Sequence, residues 1–143
     1  MKNHKISQKH FLLPLPIDYA RHISLVAHLA LAVCRAGQGN RHQLYQLIRT
    51  TYLSYILWKD GHGNSAYELY RDAEEALEAA AEHAYSSDDW MLHSDAAAVI
   101  QHVIATFDYQ LSVVSRRRYL HCNEKLEKLL RLEIPGKLNS DSV

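Results

Sequence analysis

The chain has 143 residues and carries 16 lysines and arginines against 16 aspartates and glutamates, so its formal charge at neutral pH is zero. This length predicts one domain, and 48% hydrophobic residues with only 5 glycines and 3 prolines exclude a disordered, collagenous or low-complexity chain. No stretch approaches the ~18 uninterrupted apolar residues of a membrane span. Overall neutrality also removes the simplest evidence for a nucleic-acid binder.

The chain divides into an arm, a helical domain and a tail. Residues 1–17 are basic and polar, and we expect a partly disordered arm there. The apolar run Phe11–Leu13 meets Pro14 and Pro16 before it reaches the length of a secretion signal. Residues 18–134 form the predicted domain, and residues 135–143 are expected to be a disordered tail.

Within the domain, apolar residues recur at helical spacing and predict five helices. The third is rich in alanine and glutamate, and the fourth is strongly amphipathic. The predicted ranges are about 18–36, about 41–60, 65 to 84 or 85, 94 to about 114, and about 116–132.

Turn and capping residues mark the helix boundaries. Gly37-Gln38-Gly39-Asn40 ends the first helix and supplies an asparagine cap for the second, which Gly61-His62-Gly63 then stops. Ser65 and Glu68 have the spacing of a capping box at the start of the third helix. Ser94 and Ser115 are the expected caps of the fourth and fifth helices.

The fold class follows from these elements. Strand signals are lacking, because β-branched residues occur singly or in pairs inside helical patterns. Helices joined by short loops pack as antiparallel neighbours. The sequence therefore predicts an all-α, single-domain bundle of about five antiparallel helices.

The neutral total conceals three charged blocks. Residues 1–62 hold eight basic residues and two aspartates, net +6, whereas residues 63–112 hold one arginine and ten carboxylates, net −9. Residues 113–143 hold seven basic and four acidic residues, net +3. Either the acidic and basic helices pack side by side, or the two signs face outward and dock onto a partner or a second copy.

Patterns that carry chemistry are missing from the sequence. There is no GxSxG, P-loop or GxGxxG motif, and none of the 10 histidines has another at i+3 or i+4, as a helical metal site requires. The two cysteines, Cys34 and Cys122, are far apart and outside metal-binding spacings, which is typical of reduced, buried thiols in a cytoplasmic protein. A disulfide between them stays open. We expect no enzyme activity, no cofactor, no metal site and no membrane association.

Basic clusters support a nucleic-acid hypothesis. Arg116, Arg117 and Arg118 are the densest positive cluster, and the arm adds Lys2, Lys5 and Lys9 as phosphate contacts. Three arginines at a helix N-terminus oppose the helix dipole, so we expect an acidic neighbour or an external anion to compensate them. The turn at Gly37–Asn40 does not fit a helix-turn-helix in either glycine register, because Arg35 or Gln43 then occupies a position that needs a small or apolar residue.

The second predicted helix is rich in aromatic residues, which offer a different surface. Tyr45, Tyr52, Tyr55 and Trp58 are candidates for an aromatic protein interface. The alternative is that these side chains close the edge of the bundle core with their polar atoms in water.

Several segments resemble a group of short all-helical bacterial proteins of uncharacterised function, some of which are labelled transcriptional regulators. The matching patches span 23–132: Leu29–Ala32, Gly37–Asn40, Leu47–Arg49, Tyr52–Tyr55 and Arg118–Leu120. The resemblance implies an all-helical bacterial protein and supplies no functional residue. The sequence as a whole favours a non-enzymatic interaction or adaptor module that binds a protein partner or forms a homodimer. The alternative is an accessory transcriptional regulator or nucleic-acid-associated protein that uses the basic clusters.

Overall fold

The computed structural model describes residues 11–132, which fold as a single bundle of α-helices and confirm the predicted fold class. Each long helix begins and ends within a few residues of its predicted bounds. The helices are α1 (Ile17–Arg35), α2 (Arg41–Lys59), α3 (Tyr67–Ser87), α4 (Ser94–Val113) and α5 (Arg116–Leu132). The predicted tail and the arm lysines Lys2, Lys5 and Lys9 lie outside the described residues.

Helix α2 is the centre of the bundle. It packs against α1, α3, α4 and α5, while α4 also packs against α1 and α3. Ten of the 19 residues of α2 are buried, but only four of the 19 residues of α1 are. The core is built from buried side chains of all five helices, and the largest fully buried ones are Tyr70, Phe107, Leu47, Ile56 and Leu57.

Glycines end the first two helices as predicted. Gly37 and Gly61 adopt left-handed φ angles of 75° and 96°, which cost least for a residue without a Cβ. After each glycine, the next amide bonds back to a carbonyl five residues earlier: Gln38 N to Val33 O at 3.1 Å and His62 N to Leu57 O at 3.0 Å. These bonds form Schellman motifs that satisfy the last carbonyls of α1 and α2.

The predicted caps have mixed outcomes. Asn40 caps α2 and forms a capping box with Gln43, and the hydroxyl of Ser115 accepts a hydrogen bond from Arg118 N at 3.2 Å in the first turn of α5. The predictions for Ser65 and Ser94 are wrong. Helix α3 is preceded by Ala66 and α4 by His93, neither with a side-chain cap.

A buried polar network explains the position of Ser65. Gln110, fully buried on α4, accepts a 2.7 Å hydrogen bond from Ser54 Oγ and donates to the carbonyls of Ser54 and His62 at 3.0 Å each. Ser54 also meets the hydroxyl of Tyr70 at 2.9 Å, and Tyr70 in turn donates to Ser65 at 3.3 Å. The loop between α2 and α3 is therefore held by side chains from three helices, and Ser65 belongs to that network.

The segment before α1 is fixed to the start of α5. Leu13 O accepts a 2.8 Å hydrogen bond from Arg116 N, and Pro14 forms an isolated antiparallel bridge with Ser115. Leu15 is buried in the core. Residues 13–15 of the predicted arm thus pack on the bundle.

Candidate functional site

A groove of about 1000 Å³ runs between the N-terminal half of α2 and the C-terminal half of α3. The lining residues span about 12 positions on each helix, from 41 to 52 and from 74 to 85, which corresponds to a length of about 17 Å. Its floor is apolar and its rim is polar and aromatic. The floor is formed by Leu44, Ile48, Leu77 and Ala81.

Three carboxylates of α3 line the groove at intervals of four residues. Glu74, Glu78 and Glu82 therefore lie along one face of the helix, about 6 Å apart along its axis. Glu74 is only 7% exposed, and its Oε2 accepts a 3.0 Å hydrogen bond from the hydroxyl of Tyr52. Partial burial, together with the neighbouring Glu74, Glu82 and Glu75, raises the pKa of Glu78. The groove therefore carries several negative charges close together, and a bound cation would reduce the repulsion between these carboxylates.

The groove also contains a buried hydroxyl with no partner. Thr51 lines the groove and is 2% exposed, and its Oγ1 has no hydrogen-bond partner among residues 11–132. The adjacent Thr50 differs, because its Oγ1 donates to Gln46 O at 3.0 Å in the usual helical manner. Buried polar atoms normally find partners, so the hydroxyl of Thr51 is available to bond to a ligand in the groove.

Aromatic side chains border the groove. Tyr45 is 45% exposed and Tyr85 is 69% exposed, and both line it together with Tyr52 and Trp90. The rings of Tyr85 and Trp90 meet edge to face, with centroids 5.5 Å apart. Trp90 Nε1 also donates to Asp88 Oδ1 at 3.0 Å, which fixes the indole in the loop after α3.

The predicted aromatic interface is divided by the structure. Tyr55 and Trp58 pack against Tyr70 at centroid distances of 5.6 Å each, and Tyr55 is 3% exposed. Tyr52 is also buried, but its hydroxyl reaches the groove carboxylate Glu74. One exposed surface formed by all four residues was thus a wrong prediction. Tyr55 lies in the core and Trp58 packs against it, while Tyr45 and Tyr52 border the groove.

The arginine cluster is only partly available to a ligand. Arg118 donates hydrogen bonds from Nε and Nη2 to the two carboxylate oxygens of Asp60, the first at 3.0 Å. Asp60 is thus the acidic neighbour predicted for this cluster. Arg116 is half-buried, and Arg117 is exposed. The three arginines do not form one open anion-binding surface.

The ion pairs between helices do not simply join acidic to basic blocks. Arg118 with Asp60 and Arg49 with Glu127, the latter at 2.6 Å, both connect α2 to α5, and both of these helices lie in net-basic blocks. In the acidic block, Asp108 of α4 contacts His28 of α1 at 2.7 Å. Glu78 and Glu82 of α3 instead line the open α2–α3 groove.

Nucleophile and metal chemistry find no support in the described part of the chain. Ser24, His28 and Asp108 meet, but the carboxylate lies between the other two, so the imidazole is not placed to take the serine proton as a hydrolytic triad requires. Cys34 and Cys122 are free, fully buried thiols, and burial raises the pKa of both, that of Cys122 to about 11. Among residues 11–132, no group of three His, Cys, Asp or Glu side chains is arranged to hold a metal ion.

Sequence reasoning missed Glu74, Thr51 and the groove. Glu74 lies between Ala73 and Leu77 on the buried face of α3, and a charged residue at such a position was the available signal. Thr51 gave no comparable signal, because its neighbour Thr50 is also buried but has a partner.

Comparison with known proteins adds no relative. No family model, no curated protein and no solved structure matches the chain significantly. The resemblance to short helical bacterial proteins therefore stays a prediction.

Proposed function

We propose that this protein is a non-enzymatic interaction module that binds a basic amphipathic helix of a partner protein in the α2–α3 groove. The observation that carries the proposal is the row of Glu74, Glu78 and Glu82 above an apolar floor, beside the unpartnered hydroxyl of Thr51. An apolar floor with a charged rim is the usual arrangement for recognising an amphipathic helix.

The dimensions of the groove favour a helix of about three turns. Its length of about 17 Å accepts 11 or 12 helical residues, with apolar anchors at i, i+3, i+4 and i+7 directed at Leu44, Ile48 and Leu77. Lysine or arginine side chains four residues apart on the partner match the carboxylate spacing on α3. The exposed rings of Tyr45 and Tyr85 offer amphipathic contacts at the rim.

The charge of the groove favours a protein partner over a nucleic acid. Phosphates would approach the three carboxylates with unfavourable Coulomb energy. Cationic side chains instead relieve the mutual repulsion that adds to burial in raising the pKa of Glu78. A bacterial cytoplasmic location is part of the same proposal, because free thiols persist where the compartment is reducing.

A designed peptide tests the proposal. The probe is a fluorescein-labelled amphipathic peptide of about three helical turns, with leucines on one face and arginines along its edge, and binding is followed by anisotropy. The double variant Glu78→Gln/Glu82→Gln should weaken binding about tenfold, since two partly exposed ion pairs are each worth up to about 1 kcal/mol. Ala81→Phe should block the groove without changing any charge.

The chain offers a matched control. Glu75 is exposed on the same helix but does not line the groove, so Glu75→Gln should leave the affinity within about twofold. A peptide of the same composition without the amphipathic pattern should bind weakly to every form. Equal binding of the two peptides, or equal losses in Glu75→Gln and in the double variant, would contradict the proposal.

Heparin chromatography separates this function from the nucleic-acid alternative. Retention that falls steeply with salt and disappears in an Arg116/Arg117/Arg118→Ala variant would favour binding of an anionic polymer. Because Arg118 is paired with Asp60, the arginine cluster offers little free positive charge to an anionic polymer. We therefore expect weak retention at low salt and little difference in retention between Arg117→Ala and the parent.

A further inference from the structure

Helix α1 is apolar but poorly covered. Among the described residues it is the one helix long and apolar enough to cross a membrane by length and composition, yet only 22% of its apolar window is buried. Its buried residues are Ala27, Ala30, Leu31 and Cys34, all toward its C-terminal half. Ala20 and Ile23 also pack against the core, but the large side chains of Ile17, Tyr19, Leu25 and Leu29 stay exposed.

The exposed face of α1 continues onto α4. A shallow second groove of about 670 Å³ lies between the two helices, lined by Pro14, Ile17, Leu25 and Leu111 among others. Ile17 is 67% exposed and Leu25 is 55% exposed, and Leu29, one turn further along α1, is 54% exposed. Contiguous exposed apolar surface of this kind marks an interaction site.

We infer that a second copy of this chain covers the α1–α4 face, so that the protein is a symmetric homodimer. The face carries both charge signs close together: Arg21 lines the groove with Asp108, which holds Ser24 and His28 by hydrogen bonds of 2.6 and 2.7 Å. In a two-fold contact the same patch meets itself, so a surface with both signs around an apolar centre is complementary to its own copy.

The size of the face suits a dimer. A helix of 19 residues is about 28 Å long, and a neighbour packed about 10 Å away widens the face to about 20 Å. This gives on the order of 600 Å² per copy before the exposed Leu12 and Leu13 are added, against about 800 Å² per partner in a standard interface.

A lipid surface fits this face less well. Membrane-binding helices carry an excess of lysine and arginine beside their apolar face. Here the charged residues of the face are Arg21 and Asp108, with Asp18 on the first turn of α1, so positive charge is not in excess. The residues that line the α2–α3 groove are also separate from this face, so dimerisation leaves the α2–α3 groove of each copy open.

Light scattering coupled to gel filtration tests the dimer. The chain has a mass of 16.4 kDa, and the parent protein should elute with twice that mass. Leu25→Glu/Leu29→Glu should shift the equilibrium at least tenfold toward monomer. Leu120→Glu is the matched control, because Leu120 is 43% exposed on α5 and does not line the groove between α1 and α4, and this variant should remain dimeric.

Each outcome decides the inference. The inference is overturned if the parent protein stays at the monomer mass over a wide concentration range. It is also overturned if Leu120→Glu dissociates the dimer while Leu25→Glu/Leu29→Glu retains it. Flotation of a monomeric parent with phosphatidylcholine and phosphatidylglycerol vesicles, lost in the α1 variant, would assign the face to a membrane instead. The peptide-binding assay is independent, because failure of the dimer leaves the α2–α3 groove unchanged and failure of peptide binding leaves the α1–α4 face unchanged.

Discussion

Arg118 donates two hydrogen bonds to Asp60 and so joins the first turn of α5 to the residue that caps α2. Among the five helices, α5 packs mainly against α2, and its Tyr119 ring also meets Tyr19 of α1 edge to face, with centroids 5.9 Å apart. The second ion pair, between Arg49 and Glu127, fixes the other end of the same contact. These two pairs set the register of a helix that has few other neighbours.

Replacing Asp60 by Asn should destabilise the fold by about 1–2 kcal/mol at neutral pH, because a bidentate pair with one largely buried partner is stronger than an ordinary surface pair. Arg118 lowers the pKa of Asp60 below its unfolded value of about 3.9. The stability from this pair is therefore present above the unfolded pKa and is lost as pH falls through the folded pKa. Urea unfolding at several pH values should show the parent and Asp60→Asn converging in acid.

The exposed pair Arg71 and Asp72 provides the control for this effect. Asp72→Asn should change the free energy of unfolding by less than about 0.5 kcal/mol at any pH. A gap between the parent and Asp60→Asn that stays constant down to strong acid would show that the carboxylate does not contribute through its charge.

Gln110→Leu should cost about 2–4 kcal/mol although it adds an apolar side chain to the core. The replacement leaves the carbonyl of His62 and the hydroxyl of Ser54 without the partners that Gln110 supplies. Gln101, on the same helix, is exposed and accepts only a long 3.3 Å bond from Arg35, so Gln101→Leu should be within about 0.5 kcal/mol of the parent. Equal stabilities of the two variants in chemical denaturation would contradict the role of the network.

The helices could be predicted from the sequence because apolar periodicity and glycine stops are local signals. The Asn40 cap is local too, since its partner Gln43 is three residues away. The failed cap at Ser65 has a tertiary origin, because Ser65 is held by Tyr70 in the buried network. Ser94 is the first residue of α4 rather than the residue before it. Local pattern alone does not reveal which neighbouring side chains compete for a hydroxyl.

The site was less accessible to prediction. A groove exists only where two helices diverge, and the crossing of α2 and α3 depends on the whole core rather than on either sequence segment. Tyr52 illustrates the difficulty, since the same helical position accommodates a core ring, an exposed ring or, as found, a buried ring whose hydroxyl reaches Glu74.

Thr51→Val should stabilise the isolated protein by about 0.5–1.5 kcal/mol, because it removes a buried hydroxyl that lacks a partner while keeping the side-chain volume. The same change should weaken binding of the amphipathic peptide if a polar group of the ligand satisfies this hydroxyl. Thermal unfolding and anisotropy on the same samples measure both effects.

The neighbouring threonine separates this effect from the general effect of valine in a helix. Thr50 is equally buried but donates to Gln46 O, so Thr50→Val should bring no gain in stability and no change in affinity. If Thr51→Val destabilises the protein as much as Thr50→Val does, the hydroxyl of Thr51 has a partner in solution.

Binding of the cationic peptide should weaken as pH falls through the acid range, and Glu78 should be the main cause. Burial and the adjacent carboxylates raise the pKa of Glu78, so it loses its charge at a higher pH than an ordinary glutamate. A bound arginine favours the charged form, so binding is coupled to proton release and affinity is lost as pH falls through the raised pKa.

The other charged or titratable groups facing the groove are Glu74 and Glu82 on α3, and Arg41 and His42 on α2. The probe therefore carries arginines, which keep their charge over this range, and the assay uses a His42→Gln background. The remaining pH dependence then comes from the carboxylates. In that background Glu78→Gln should flatten the upper part of the affinity profile, while Glu75→Gln should shift it only slightly. A profile that Glu78→Gln leaves unchanged would assign the pH dependence to a different carboxylate.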